Sequence, residues 1–165
     1  MSRLQDRPLD LVVFGSLGDL ARRKLFPSLY ALFQKKVLPN DLRIIAVTRQ
    51  KATIEEFALG ISEHVFSGNA PDEQGSEEWN KFISQIVLID MDLNAAEDYK
   101  RLSKLFKDPE RIRVFYLAVS PKFFPPAIKQ LGKAGMLDDR VKSRIVIEKP
   151  HRSPGISWWY VDPFS

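Results

Sequence analysis

The chain has 165 residues, of which 44% are hydrophobic and 28% charged, and its net charge is +4. This composition is typical of one soluble globular domain, and the lack of cysteine excludes disulfides, thiolate catalysis and cysteine zinc sites. Two histidines, His64 and His151, do not suffice for a histidine metal cluster, so we expect no metal. The chain lacks a signal-peptide core, a membrane-length apolar run and a basic stretch interleaved with aromatic residues. We therefore expect a cytoplasmic protein without a membrane or nucleic-acid partner.

The first thirty residues after Pro8 predict a strand, a glycine turn and a helix. Residues 9–14 form an almost unbroken apolar run, as in a strand buried on both faces. Gly15 and Gly18 bracket a turn, and Asp19 stands where a helix N-cap is expected. Apolar residues then recur at helical spacing: Leu20, Ala21, Leu25, Leu29, Leu32 and Phe33. Two glycines three apart also occur in ordinary tight turns, but this order is the one that builds a phosphate site on a helix N-terminus.

Strands and helices alternate along the rest of the chain. We predict strands at 42–47, 86–92, 113–119 and 144–148, and helices at 53–65, 95–106 and from 121 to a glycine at 132 or 135. Thr53 and Glu56 form a capping box, and the polar stretch 67–78 is predicted to be a solvated loop. This alternation predicts an α/β fold with a doubly wound parallel sheet of the Rossmann type, whose ligand lies beyond the carboxyl ends of the strands.

Arg49 bears on the choice of coenzyme. In a dinucleotide fold the end of the second strand lies beside the adenosine ribose, where an acid favours NAD and an arginine accepts the 2′-phosphate of NADP. Here the position holds Arg49, Lys51 follows, and the first acid is Glu55. The sequence therefore indicates NADP, with a solvated arginine at a strand end as the alternative.

Four motifs occur together in a characteristic order: GSLGDLARRKLFPSLYALF, VTRQ, RVFYLAVSPKFFPPAI and RIVIEKP. In this order residues 9–150 resemble the N-terminal coenzyme domain of the glucose-6-phosphate dehydrogenase family. The resemblance implies oxidation of glucose 6-phosphate by NADP to 6-phosphogluconolactone in the oxidative pentose phosphate pathway. It also implies a set of site residues: Gly15, Ser16, Leu17, Gly18, Asp19 and Leu20 in the phosphate turn, Arg49 at the 2′-phosphate, and Lys149 beside both nicotinamide and sugar phosphate. In the family the bond matching Lys149 to Pro150 is a cis junction.

The chain departs from the family at three places. Ser16 and Leu17 stand where the family has alanine and then serine or threonine, so a phosphate-binding hydroxyl is missing from the second position. Ser120 and Pro121 replace two prolines. After Pro150 the family pattern stops, and the Asp-His-Tyr-Leu-Gly-Lys type motif that carries the general base does not occur. We therefore divide the chain into an NADP-binding domain at 1–150 and a divergent tail at 151–165.

These departures predict NADP binding without efficient turnover. The alternative is a non-catalytic NADP-binding module or an inactive truncated product, whereas a reductase that pairs Tyr-x-x-x-Lys is excluded because that motif is absent. His64 is interpreted as a solvated residue at a helix end. The aromatic cluster Trp158, Trp159 and Tyr160 is either an interaction strip or an unpacked tail. We expect self-association through the sheet edge or these tryptophans.

Overall fold

The computed structural model describes residues 4–69, 71–148 and 158–161, and a six-stranded sheet lies at its centre. The strands are β1 (Leu9–Phe14), β2 (Leu42–Thr48), β3 (Ile86–Asp90), β4 (Ile112–Leu117), β5 (Ser143–Glu148) and β6 (Trp158–Val161). The helices are α1 (Phe26–Gln34), α2 (Ile54–Val65), α3 (Glu73–Ile83), α4 (Ala96–Ser103) and α5 (Phe124–Lys133). A π-helical turn, Ala21–Leu25, leads directly into α1. Short 3₁₀ turns lie at Leu4–Asp6 and Pro121–Phe123.

The strand order is β3-β2-β1-β4-β5-β6, with the first five strands parallel. Val12 lies between Ile45 and Phe115 in the shared register. The chain runs outward from β1 in one direction to β3, and then returns to the other side of β1 at β4. The predicted doubly wound parallel sheet is confirmed, and its topological switch point, where such folds bind ligands, lies between β1 and β4.

β1 is the centre of the molecule because both of its faces are covered. Val12, Val13 and Phe14 have no exposed surface. Val13 belongs to a cluster that includes residues of α1, α2 and α3, whereas Val12 and Phe14 pack with residues of α4 and α5. This two-sided burial explains the unbroken apolar run in the sequence.

Helix α3 corrects the predicted loop at 67–78, because the helix begins at Glu73. The Asp72 carboxylate caps it by accepting a 2.7 Å hydrogen bond from the amide of Gly75. Its buried side chains come late: Trp79 and Phe82 are 9% and 0% exposed, and both rings contact Tyr30. The first half of the helix is polar, with Glu73 and Glu77 exposed, so its sequence resembles a solvated loop.

Strand β6 is an addition that the sequence analysis did not predict. Trp158–Val161 pairs antiparallel with β5, and Ile147 lies opposite Trp159. The aromatic cluster therefore contributes backbone to the sheet. The division of the chain at residue 150 stays a prediction.

An ionic network holds the opposite, amino-terminal end of the sheet. The Asp10 carboxylate, whose side chain is 1% exposed, accepts hydrogen bonds from Arg43 at 3.0 and 2.9 Å and from Arg111 at 2.8 Å. Burial alone would lower the pKa of Arg111, but its hydrogen bonds to Asp41 and Asp10 outweigh that effect and raise the pKa. Asp10 therefore ties three segments together away from the switch point.

Across the described residues, no helix combines the length and the apolarity needed to cross a bilayer.

Candidate functional site

A cleft of about 980 Å³ opens at the carboxyl edge of the sheet, at the switch point. The loops after four neighbouring strands form its walls. Its lining residues are Gly15, Leu17 and Gly18 after β1; Arg49 and Gln50 after β2; Met91, Asp92, Leu93 and Asn94 after β3; and Ala118, Val119, Ser120 and Phe123 after β4. The cleft lies beyond the strand ends near the first turn, where we expect the ligand to bind.

Gly15 and Gly18 of the glycine turn line the cleft without presenting a side chain to it. Gly15 has φ +80°, and a Cβ there would lie 2.4 Å from the carbonyl oxygen of Ala118, so a side chain does not fit. The Gly18 amide donates a 2.9 Å hydrogen bond to the Gly15 carbonyl, which closes the turn. A Cβ on Gly18 would lie 3.0 Å from the same Gly15 oxygen. The turn is therefore tight, and it presents backbone to the cleft.

The helix after the turn begins one residue earlier than predicted. The Arg22 amide donates to the Gly18 carbonyl at 3.1 Å, and Asp19 already has helical backbone. Asp19 is therefore not the N-cap: its carboxylate lies 2.6 Å from Nε of Arg23, with both side chains exposed. Helical bonding that starts at Gly18 leaves the amides of Asp19 and Leu20 without an intrahelical acceptor. These amides, at the positive end of the helix dipole, suit an anion.

Ser16 faces the interior of the protein. Its hydroxyl is buried and donates a 2.7 Å hydrogen bond to the Val13 carbonyl, and its amide donates to the Val47 carbonyl at 3.0 Å. Both donors of Ser16 are thus used inside the fold, so its hydroxyl does not replace the one missing at Leu17. Leu17 lines the cleft, and its amide has no acceptor within the described residues. Any phosphate here would be held by backbone donors.

Arg49 lies on the β2 side of the cleft. The Thr48 hydroxyl donates a 2.7 Å hydrogen bond to the Gln50 carbonyl and bends the chain where the strand ends. This bend leaves Arg49 exposed on the cleft wall, whereas Lys51 is exposed outside it. No ion pair among the described residues involves Arg49. The guanidinium is therefore available to an anion.

The loop after β3 is a wall that sequence reasoning missed. The Asp92 amide donates to Asp98 Oδ2 at 2.8 Å, and the buried Tyr99 hydroxyl donates to the Leu93 carbonyl at 2.9 Å. The bond from Asp92 and a hydrogen bond from Arg101 lower the pKa of the Asp98 carboxyl. Burial, together with the charges of Asp92 and Asp98, raises the pKa of Tyr99 to about 12. The loop is therefore held in place by α4. Its position directly after a predicted parallel strand is the feature of the sequence from which this wall of the cleft could have been predicted.

Lys149, Pro150 and His151 lie outside the described residues, so their placement and the cis junction stay predictions. His64 is exposed at the last turn of α2 and does not line the cleft, in agreement with its interpretation as a solvated residue.

The cleft meets the requirements of a dinucleotide. It joins a glycine turn at a helix start, a guanidinium at the end of the neighbouring strand, and the half-buried apolar side chains of Leu17, Val119 and Phe123. The fold and the cleft together define a dinucleotide-binding domain of the Rossmann type. A family model described as "Glucose-6-phosphate dehydrogenase, NAD binding domain" matches residues 12–154. The chain belongs to the glucose-6-phosphate dehydrogenase family.

Curated relatives agree with this assignment. Glucose-6-phosphate 1-dehydrogenase of Borreliella burgdorferi is 37% identical over 144 residues, which are 87% of this chain and 29% of that protein. The enzyme of Mycolicibacterium smegmatis is 35% identical over 154 residues, covering 87% and 30% of the two chains. The chain thus spans about 30% of the length of these relatives. The description of the family model names NAD, which leaves a preference for NADP as a proposal.

Solved structures show the same fold. The crystal structure of glucose-6-phosphate 1-dehydrogenase from Mycobacterium avium matches with a TM-score of 0.76 and 25% identity, over 88% of this chain and 30% of that one. A glucose-6-phosphate dehydrogenase in complex with its substrate matches with a TM-score of 0.74 and 24% identity, over 91% and 32%. The second likeness supports the fold alone.

Proposed function

We propose that this chain binds NADP in the cleft at the switch point, as the coenzyme-binding part of a glucose-6-phosphate dehydrogenase. The position of Arg49 is the observation that supports the proposal most strongly. Among the described residues Arg49 is the one basic side chain that lines the cleft, it follows β2, and it makes no ion pair with any of them. A carboxylate at this point would bond the ribose 2′-hydroxyl of NAD, whereas a guanidinium pairs with the 2′-phosphate of NADP.

The pyrophosphate is proposed to lie against the glycine turn. Gly18 presents no side chain, and the amides of Leu17, Asp19 and Leu20 supply donors at the start of the helix. Leu17 provides no hydroxyl, and the Ser16 hydroxyl is committed to Val13. The chain would therefore hold the phosphates through backbone donors and the helix dipole. In this scheme Ser16 contributes by fixing the turn from inside.

The reaction we propose is the oxidation of C1 of glucose 6-phosphate, for which bound NADP supplies the hydride acceptor. This chain would contribute orientation: Arg49 fixes one end of the coenzyme, and Ser120 and Phe123 line the opposite end of the cleft, after β4. Lys149, which follows β5 in the sequence, is proposed to hold the sugar phosphate, on the strength of the family resemblance. A cytoplasmic location remains a prediction.

Calorimetric titration of the purified 165-residue chain with NADP and with NAD tests the proposal. Charge-assisted hydrogen bonds are worth about 1.5–3 kcal/mol, so NADP should bind roughly 10- to 100-fold more tightly than NAD. Inorganic phosphate should compete with NADP more effectively than with NAD. Equal affinities for the two coenzymes, or tighter binding of NAD, would overturn the proposal.

A further inference from the structure

We propose that Asp92 recognises the exocyclic amino group of adenine and makes the cleft selective for adenine over a purine with a carbonyl oxygen at that position. The inference rests on the proposed binding of NADP. It begins from charge: among the described residues that line the cleft, Asp92 is the one acid and Arg49 the one base.

A carboxylate in this cleft requires a hydrogen-bond donor on the bound ligand. NADP carries phosphate charges that repel a carboxylate, so Asp92 would weaken binding unless it met a part of the coenzyme that donates. The coenzyme has three kinds of donor: the adenine amino group, the ribose hydroxyls and the nicotinamide carboxamide. The position of Asp92 in the sheet selects among them.

The strand order places Asp92 at the adenine end. The glycine turn follows β1, Arg49 follows β2, and Asp92 follows β3, so the three lie in sequence across the carboxyl edge. With the pyrophosphate at the turn and the 2′-phosphate at Arg49, the next group outward is adenine. The carboxamide lies the other way, towards β4. The Met91 amide donates to the Thr48 carbonyl at 2.8 Å, which keeps the end of β3 beside that of β2, at a strand spacing of about 4.8 Å.

The carboxylate of Asp92 is held in place without the ligand. Oδ1 accepts a 2.9 Å hydrogen bond from the Asn94 amide, while the Asp92 amide is held by Asp98. Oδ2 accepts no hydrogen bond from the described residues, so one acceptor remains. Met91 and Leu93, on either side of Asp92, are 3% and 7% exposed and belong to the core, so the loop that carries the carboxylate is anchored. An oriented acceptor on an anchored loop suits a base with an amino group at its edge.

The test compares NADP with its deamino analogue, in which hypoxanthine replaces adenine and a carbonyl oxygen replaces the amino group. Calorimetry on the wild-type chain should show roughly tenfold or greater preference for NADP. Asp92→Asn should reduce that preference to within about threefold, because an amide donates as readily as it accepts. Its side-chain oxygen still accepts from Asn94, so the loop is preserved.

Asp90→Asn is the matched control. It removes the same charge two residues away, from a side chain that does not line the cleft and whose carboxylate lies 4.0 Å from Arg101. This variant should keep the wild-type preference. If Asp92→Asn weakens both nucleotides equally, or the wild type binds both equally, the role of Asp92 is refuted while NADP binding stands. If the wild type binds neither nucleotide, the proposed function fails and this inference fails with it.

Discussion

Replacing Gly15 by alanine should destabilise the fold through two separable effects. The first is conformational, because φ at Gly15 is +80° and a side chain in the left-handed region costs roughly 1–2 kcal/mol. The second is steric, because the new Cβ would lie 2.4 Å from the Ala118 carbonyl oxygen and 2.9 Å from Cγ1 of Val119. Overpacking against backbone typically costs about 1–3 kcal/mol. The total expected loss in the free energy of unfolding is therefore about 2–5 kcal/mol.

Gly68→Ala isolates the conformational effect. Gly68 has φ +79°, and a Cβ there would meet nothing within 4 Å. Urea unfolding of both variants should show that Gly15→Ala loses about 1–3 kcal/mol more than Gly68→Ala. Equal losses would mean that Ala118 and Val119, after β4, do not crowd the glycine turn, and would refute the packing described at the switch point.

Three further predictions concern binding, stability and association. Gly18→Val should abolish NADP binding because a branched side chain would occupy the bare wall of the cleft, and calorimetry checks this; unchanged affinity would refute the phosphate turn. Asp10→Asn should lower the free energy of unfolding by about 3 kcal/mol, since it leaves Arg43 and Arg111 without their shared carboxylate. The affinity for NADP should not change. Urea unfolding and titration measure the two effects, and an unaltered stability would contradict the ionic network. The chain should self-associate with increasing concentration in analytical ultracentrifugation, because β3 and β6 are the edges of the sheet and Val87 on β3 is 39% exposed; a monomer at all concentrations would count against this.

The sequence predicted those strands and helices whose burial is visible as a local pattern of apolar residues. β1 and β2 are covered on both faces, so their residues form continuous apolar runs, and the capping box of Thr53 and Glu56 is present with hydrogen bonds of 3.1 and 2.9 Å. Helix α3 escaped prediction because its burial depends on Tyr30, a residue distant in sequence. The pattern of neighbouring residues was therefore enough to predict an element where that pattern agrees with the tertiary contacts.

The candidate site shows the same division. The glycine turn and Arg49, which follow the first two predicted strands, both line the cleft, and their contact with the coenzyme stays a prediction. Two features could not be predicted from the sequence. The Ser16 hydroxyl points inward because it bonds the Val13 carbonyl, and the wall after β3 consists partly of exposed polar residues without periodicity. Asp19 was misplaced by one residue, because either a glycine or an aspartate can stand at the N-cap position.

The preference of the Arg49→Ala variant for NADP over NAD tests the central claim most directly. Removal of the guanidinium should weaken NADP binding roughly 10- to 100-fold and leave NAD binding nearly unchanged, since the lost hydrogen bonds involve the 2′-phosphate alone. Lys51→Ala is the control, because Lys51 is exposed and does not line the cleft, and it should leave both affinities close to those of the wild type. If Arg49→Ala weakens NADP and NAD equally, Arg49 does not recognise the 2′-phosphate and the account of the cleft is wrong.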